Sequence, residues 1–148
     1  MTDSRQLNPF VRWVQPGEDL SDAFAIRIKV FVEEQKVPVE LEMDDIDPIT
    51  DHVIVYVDGQ PAATGRIVRD NPVSLGRIAV LPEYRGTGIG AIVVNQLTRK
   101  LFTEGYPEIH IHAQIQALGF YEKLGFKAYG EPYDEAGIPH RSMVKTNA

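Results

Sequence analysis

The sequence predicts a mixed α/β fold, with a central, mostly antiparallel sheet and helices on both faces. Three observations carry this. Strand-like runs cluster mid-chain around two turn signals, Asp58-Gly59 and Asn71-Pro72. Segments with apolar residues at helical spacing stand before and after that cluster. More strand-like runs follow, so the order is β, α, several β, α, β, α, β, β. At 148 residues, 43% hydrophobic and 24% charged, the composition fits one domain over residues 1–148.

Val11 to Val14 reads as a short first strand. Leu20, Phe24, Ile28 and Phe31, with Ala23 and Val30 beside them, place a helix over roughly residues 19–31. The acidic stretch "EEQKVPVELEMDDIDP" follows, where Pro38 and Pro48 argue against a long regular element. "HVIVYV" (52–57) and "ATGRIV" (63–68) form a hairpin about Asp58-Gly59, and "VSLGRIAVL" (73–81) adds a third strand. Ile89, Ile92, Val93, Leu97 and Leu101 stripe a long helix that Gly105 and Pro107 stop. "EIHIHA" (108–113) is a strand, "ALGFYEKLG" (117–125) a short helix, and the tail adds two strands.

Composition narrows the function. No cysteine is present, which removes disulfides, thiolate metal sites and a Cys nucleophile. A net charge of −6 argues against a nucleic-acid partner, whose phosphates call for Lys and Arg. No apolar run nears the roughly 20 residues that span a bilayer, and Met1 to Pro9 lacks the apolar core of a signal peptide. The expectation is a cytoplasmic protein with no membrane partner.

The informative stretch is "EYRGTGIG" (83–90), with glycines at 86, 88 and 90 at the start of the long helix. Glycine is disfavoured there by about 1 kcal/mol against alanine, so something must approach the backbone closely. A P-loop needs Lys-Ser/Thr after its last glycine, and Ala91-Ile92 stand there instead. Gly86, Gly88 and Ala91 satisfy the dinucleotide pattern G-x-G-x-x-A. Four residues separate that pattern from its strand, however, and Gln114 stands where an acidic residue is wanted. Close helix–sheet packing is a further reading of the same glycines.

Arg85-Gly86-Thr87-Gly88-Ile89-Gly90, within "VLPEYRGTGIG", resembles the Q/R-x-x-G-x-G/A signature of the GCN5-related N-acetyltransferases (GNAT). "ALGFYEKLGF" resembles that family's late helix, and "RIKVFVEEQKVP" and "GIPHRSM" resemble its bacterial ElaA-like subgroup. The resemblance implies a GNAT-type fold and acetyl-CoA as cosubstrate, with no metal. The pyrophosphate would lie on Arg85, Gly86, Thr87, Gly88, Ile89, Gly90 and Ala91, at the unpaired N–H groups of the helix start. The pantetheine arm would bond the backbone of Ile78, Ala79 and Val80. Gln114 takes a place, seven residues before Tyr121, where many members carry a cofactor-contacting asparagine.

Amide formation from a thioester requires a deprotonated amine, a stabilised oxyanion and a protonated leaving thiolate. Lacking Cys and a G-x-S-x-G elbow, the chain is expected to work by direct attack in a ternary complex. The resemblance makes Tyr121 the acid, although its spacing with Ala117, Phe120 and Leu124 also fits a core residue. Among seven carboxylates from Glu33 to Asp47, Glu34 and Glu40 are the candidate bases. Arg27 and Phe31, one helical turn apart, are expected to line the acceptor side. His110 and His112 share a strand face and read as metal ligands, packed residues or a base near the acceptor. The acceptor is expected to be a small-molecule amine or a peptide or protein amine, and the protein a monomer or homodimer. A non-catalytic acyl-CoA-binding or sensing module is the alternative.

Overall fold

The computed structural model describes residues 8–147, so most of the Met1–Pro9 segment lies outside it. Seven strands form one sheet: β1 (Pro9–Val14), β2 (His52–Val57), β3 (Gln60–Val68), β4 (Ser74–Val80), β5 (Glu108–Gln114), β6 (Lys127–Glu135) and β7 (Ile138–Thr146). Their spatial order is β1-β2-β3-β4-β5-β7-β6. Only the β4–β5 pair is parallel. Asp58 and Gly59 both take positive φ, 51° and 78°, as a two-residue turn between right-twisted strands requires.

The helices are α1 (Ser21–Arg27), α2 (Val39–Glu42), α3 (Ile89–Thr103) and α4 (Leu118–Lys123). The helix expected over 19–31 departs from plan. After Arg27 it widens into a π-helix, Ile28–Glu34, closed by Gln35 N–H donating to the Val30 carbonyl at 3.1 Å. The apolar stripe cannot reveal the change of pitch, because Val30 stays buried after it. Among the described residues, no helix is long and apolar enough to cross a membrane.

Strand alternation divides the core between two faces of the sheet. Val53, Val55, Ile67, Leu75, Ile109 and Ile111 pack on α3 residues Val93, Leu97 and Leu101, with Tyr121 of α4 in the same cluster. Val14, Ile54, Ala79 and Leu81 pack with Ala23, Ile26 and Val30 on the other face.

The sheet opens between β4 and β5. They pair only at Ser74↔His110 and Leu75↔Ile111 and diverge beyond. A bulge in β4 accompanies the opening. Thr64 pairs with Ala79 and Arg66 with Gly76, so β4 holds one residue more than β3. Arg77, at φ 51°, sits in that interval. An extra residue bends its strand and strengthens the local twist, which turns the end of β4 away from β5.

Candidate active site

The divergence makes a V-shaped cleft of about 1140 Å³, more than the roughly 300–1,000 Å³ of an ordinary ligand pocket. There is room for a large cosubstrate and an acceptor together. Ile78, Ala79 and Val80 line one arm, and Ile111, His112, Ala113 and Gln114 the other. On its β3 side, β4 pairs Ala79 with Thr64 and Val80 with Ala63, and Leu81 N–H donates to the Ala62 carbonyl. Its other side has no strand partner beyond Leu75, which leaves main-chain groups facing the cleft.

The glycines after β4 divide into two roles. Gly86 and Gly88 take φ of 76° and 89°, and a Cβ on either would meet nothing within 4 Å. They give the chain its left-handed turns and keep open space over the start of α3. Gly88 caps α3 without any side-chain bond, so Ile89, Gly90 and Ala91 present unpaired N–H groups. Gly90 differs. A Cβ there would lie 3.2 Å from both Phe120 Cζ and Val80 Cγ2. The packing reading therefore holds for Gly90, where α3, β4 and α4 meet. Thr87 donates from its hydroxyl to the Tyr84 carbonyl, which fixes the loop.

Consecutive residues at the end of the π-helix tie the two arms of the V. Arg85, whose Nε donates to the Val80 carbonyl at 3.1 Å, grips Glu34 with two N–H groups at 2.7 and 2.8 Å. Gln35 and Gln114 exchange amide bonds, 3.2 Å in one direction and 2.8 Å in the other. Hydrogen bonding from Arg85 holds the Glu34 carboxyl below the ordinary carboxylate range. A carboxylate so held is a poor base. Glu40 is exposed on α2 and is not part of the cleft wall. Of the two expected bases, Glu34 thus lines the cleft with its carboxylate engaged by Arg85, and Glu40 lies outside it.

Tyr121 and Phe31 do line the cleft, on opposite sides of the sheet. Tyr121 is 7% exposed, with its ring edge-on to Phe120 at 4.9 Å and Phe126 at 6.0 Å. Its hydroxyl forms no hydrogen bond among the described residues and is not sealed from the cleft. Burial pushes the phenol well above its usual value, so it stays protonated at neutral pH. Tyr121 is both a packed residue and a donor facing the cleft.

Arg27 is a correction. It is fully buried and not in the cleft wall. Its guanidinium donates to Glu42 Oε2 at 2.7 Å, the Glu42 carbonyl at 2.8 Å and both Asp47 oxygens at 2.7 and 3.1 Å. Arg66 adds Asp44 at 2.6 and 2.8 Å and Asp47 at 2.7 Å, and Arg77 reaches Glu42 at 3.2 Å. Burial raises the Glu42 carboxyl, with the arginines pulling it back incompletely. Hydrogen bonding from Arg66 draws the Asp44 carboxyl down to about 2. The acidic stretch thus neutralises three arginines beneath the cleft. The network was legible in one place, because Arg27 interrupts the apolar stripe of Ala23, Ile26 and Val30. A charge on a buried face calls for partners.

The family model for the acetyltransferase (GNAT) domain matches residues 18–147. The uncharacterised N-acetyltransferase YjcF of Bacillus subtilis is 38% identical over 130 residues, 86% of this chain and 93% of that one. An acyl-CoA N-acyltransferase from Pseudomonas aeruginosa superposes with a TM-score of 0.79 at 27% identity, covering 95% of this chain and 100% of that one. Escherichia coli ElaA does so at 0.74 and 26%, covering 92% and 99%. The parted strands, the glycine turns at the α3 start and this match over nearly the whole length agree: the chain belongs to the GNAT family of acetyltransferases.

Proposed function

We propose that the protein transfers the acetyl group of acetyl-CoA to a primary amine by direct attack in a ternary complex. The observation that carries this is the continuity of the unpaired edge of β4 with the glycine turns at the start of α3. A pantetheine arm completes the main-chain bonding of Ile78, Ala79 and Val80, while its pyrophosphate meets the free N–H groups of Ile89, Gly90 and Ala91. Gly86, Thr87 and Gly88 shape that turn. Arg85 adds charge once Glu34 yields it, and Gln114 flanks the arm from β5. A main-chain N–H of β4 polarises the thioester carbonyl. Phe31 borders the acceptor side, and Tyr121 donates to the departing sulfur.

The decisive measurement is release of free CoA thiol across a panel of amines, with mass detection of the acetylated product. The panel holds putrescine, glucosamine and a peptide with a free amino terminus and one lysine. Amine-dependent release with a product 42 Da heavier, the mass of an added acetyl group, is expected for at least one. Tight acetyl-CoA binding without any such product would instead support a non-catalytic acyl-CoA-binding module.

The cosubstrate loop has its own test in Gly88→Val. A branched residue at φ 89° is strained, and its side chain enters the space assigned to phosphate. The Kd for acetyl-CoA should rise at least about tenfold, or roughly 1.4 kcal/mol. Gly17→Val is the matched control, since Gly17 has φ 88° and equally open surroundings. Calorimetric titration should find normal affinity in the control and a comparable fall in melting temperature in both. Unchanged affinity in folded Gly88→Val removes the loop assignment.

A further inference from the structure

We infer that His112 is the general base that takes the proton from the acceptor amine, an inference that rests on the acetyl-transfer reading. The cleft closes at the Leu75↔Ile111 pair, and His112 is the next residue along β5. With the pyrophosphate at the α3 start, the arm runs back along β4 and delivers the thioester to this vertex. Alternation along β5 then sorts the chemistry. Ile111 and Ala113 are buried in the core that contains α3 and Tyr121. His112, between them, projects from the opposite face, where it is exposed and lines the cleft. Base and sulfur-side donor thus approach the thioester from opposite sides of the sheet.

Hydrogen bonding separates His112 from His110 and His52, and strand register separates it from His140. His112 Nδ1 lies 2.7 Å from the Tyr133 hydroxyl, and Nε2 has no partner among the described residues. With Nδ1–H donating to the Tyr133 oxygen, Nε2 carries the lone pair that the reaction needs. His110 has both nitrogens engaged, by the Tyr129 hydroxyl and Glu108, each at 2.7 Å. His52 is buried against the Asp47 carbonyl. His140, with Nδ1 2.6 Å from the Ile138 carbonyl and Nε2 3.7 Å from Glu135, is buried and pairs with Gln114, three residues beyond the vertex at Ile111.

The titratable and charged neighbours are His110 on the same face of β5, Tyr133 and Glu135 of β6, His140 of β7, and Asp70, Arg66, Arg77 and Glu42 in the cleft wall. Ser142 is the β7 residue in register with His112. Glu42 is tied to Arg27 and Arg77, and Glu34 to Arg85. That leaves Asp70 and Glu135 as outlying attractors for an ammonium group, not as bases at the vertex.

The protons balance as follows. The acceptor ammonium gives one proton to His112 Nε2, and the freed lone pair forms the C–N bond. The C–S bond breaks, the nitrogen loses its second proton to solvent, and the thiolate gains one by way of Tyr121, which recovers a proton from solvent. His112 then returns its proton to solvent, so one proton is released per acetyl transferred.

The test is His112→Gln, assayed with whichever panel amine the wild type turns over fastest. Acetyl-CoA affinity by calorimetry and the melting temperature should match the wild type. The single-turnover rate should fall about 10²-fold or more. The acid limb of the kcat/KM pH profile should move up toward the ionisation of the free acceptor amine, and added imidazole should restore part of the rate. Tyr133→Phe provides a second reading, since it keeps His112 but removes the oxygen that orients Nδ1–H. Its acid limb should move and its rate fall less. A wild-type rate with an intact acid limb in His112→Gln overturns the assignment. Absence of amine-dependent turnover in the wild type overturns the transfer reading itself, and the base with it.

Discussion

Replacing Arg27 with methionine should remove about 3–5 kcal/mol of stability, the cost of leaving buried carboxylates without one of their partners. Arg27 supplies four strong bonds to Glu42 and Asp47 in a region that water does not reach. Methionine fills much of the volume, so packing loss alone does not explain such a fall. Urea titration at pH 7 should show a lower midpoint with little change in slope. At about 2–4 °C per kcal/mol for a chain near this size, the melting temperature should drop roughly 10 °C. Arg69→Met is the contrast: Arg69 pairs with Asp51 and Glu104 but is 34% exposed, where such pairs contribute about 1 kcal/mol or less. Equal losses in the two variants would show that the Arg27 network adds no more than a surface pair.

The same network sets the acid limb of stability. Burial works against ionisation of Asp47, but Arg27 and Arg66 outweigh it and hold the carboxyl below its ordinary range. Asp44 is held at about 2. Both groups bind protons more readily in the unfolded chain. Their contribution is therefore complete above the ordinary carboxylate range and is lost as pH falls toward about 2. Glu42, raised by burial, runs in the opposite sense and blunts the effect.

The second large effect belongs to Tyr121→Phe, which should lower the single-turnover rate about 10²-fold, at the lower end for general acid catalysis. The structure explains why the lower end applies. Burial raises the phenol far above a thiol, so complete proton transfer to the thiolate runs uphill. A hydrogen bond to sulfur as the C–S bond breaks is the larger part of what the hydroxyl offers. Because that hydroxyl has no partner among the described residues, phenylalanine keeps the contacts with Phe120 and Phe126 and strands no buried group. Melting temperature and acetyl-CoA affinity should therefore hold while the chemical step slows. A folded variant with the wild-type single-turnover rate would return Tyr121 to a packing role alone.

Local rules were readable in the sequence wherever the local signal was also the deciding one. The Asp58-Gly59 turn, the stripe of α3 and the alternation of β5 each express a period or a backbone preference contained in a few residues. The glycine loop was legible as a place of close approach, yet not the separate role of Gly90, because Phe120 reaches it from a distant helix. The partners of Arg27 lie 15 and 20 residues away, and Arg66 and Arg77 join from different strands. No spacing rule links them. His112 and His110 look alike in the sequence, and only the splay of the strands and the tyrosines of β6 distinguish them. Glu34 belongs to an acidic run in which it, Glu42, Asp44 and Asp47 answer arginines elsewhere, while Glu40 of the same run stays exposed.

The bulge at Arg77 can also be understood as a change of reading frame within one strand. Before it, Leu75 faces the α3 side; after it, Ile78 and Val80 do, and Ala79 takes the α1 side. An uninterrupted strand would have kept the odd-numbered residues together. Deleting residue 77 would therefore restore plain alternation and leave every later position of β4 on the face it now takes. Ala79 would stay on the α1 side and Ile78 and Val80 in the α3 core, and what would be lost is the bend. One residue of length thus separates a continuous, closed sheet from one with a cleft. Among relatives of this chain, a gap at that point should be weighed as loss of the bend that parts the strands, with the faces of β4 kept.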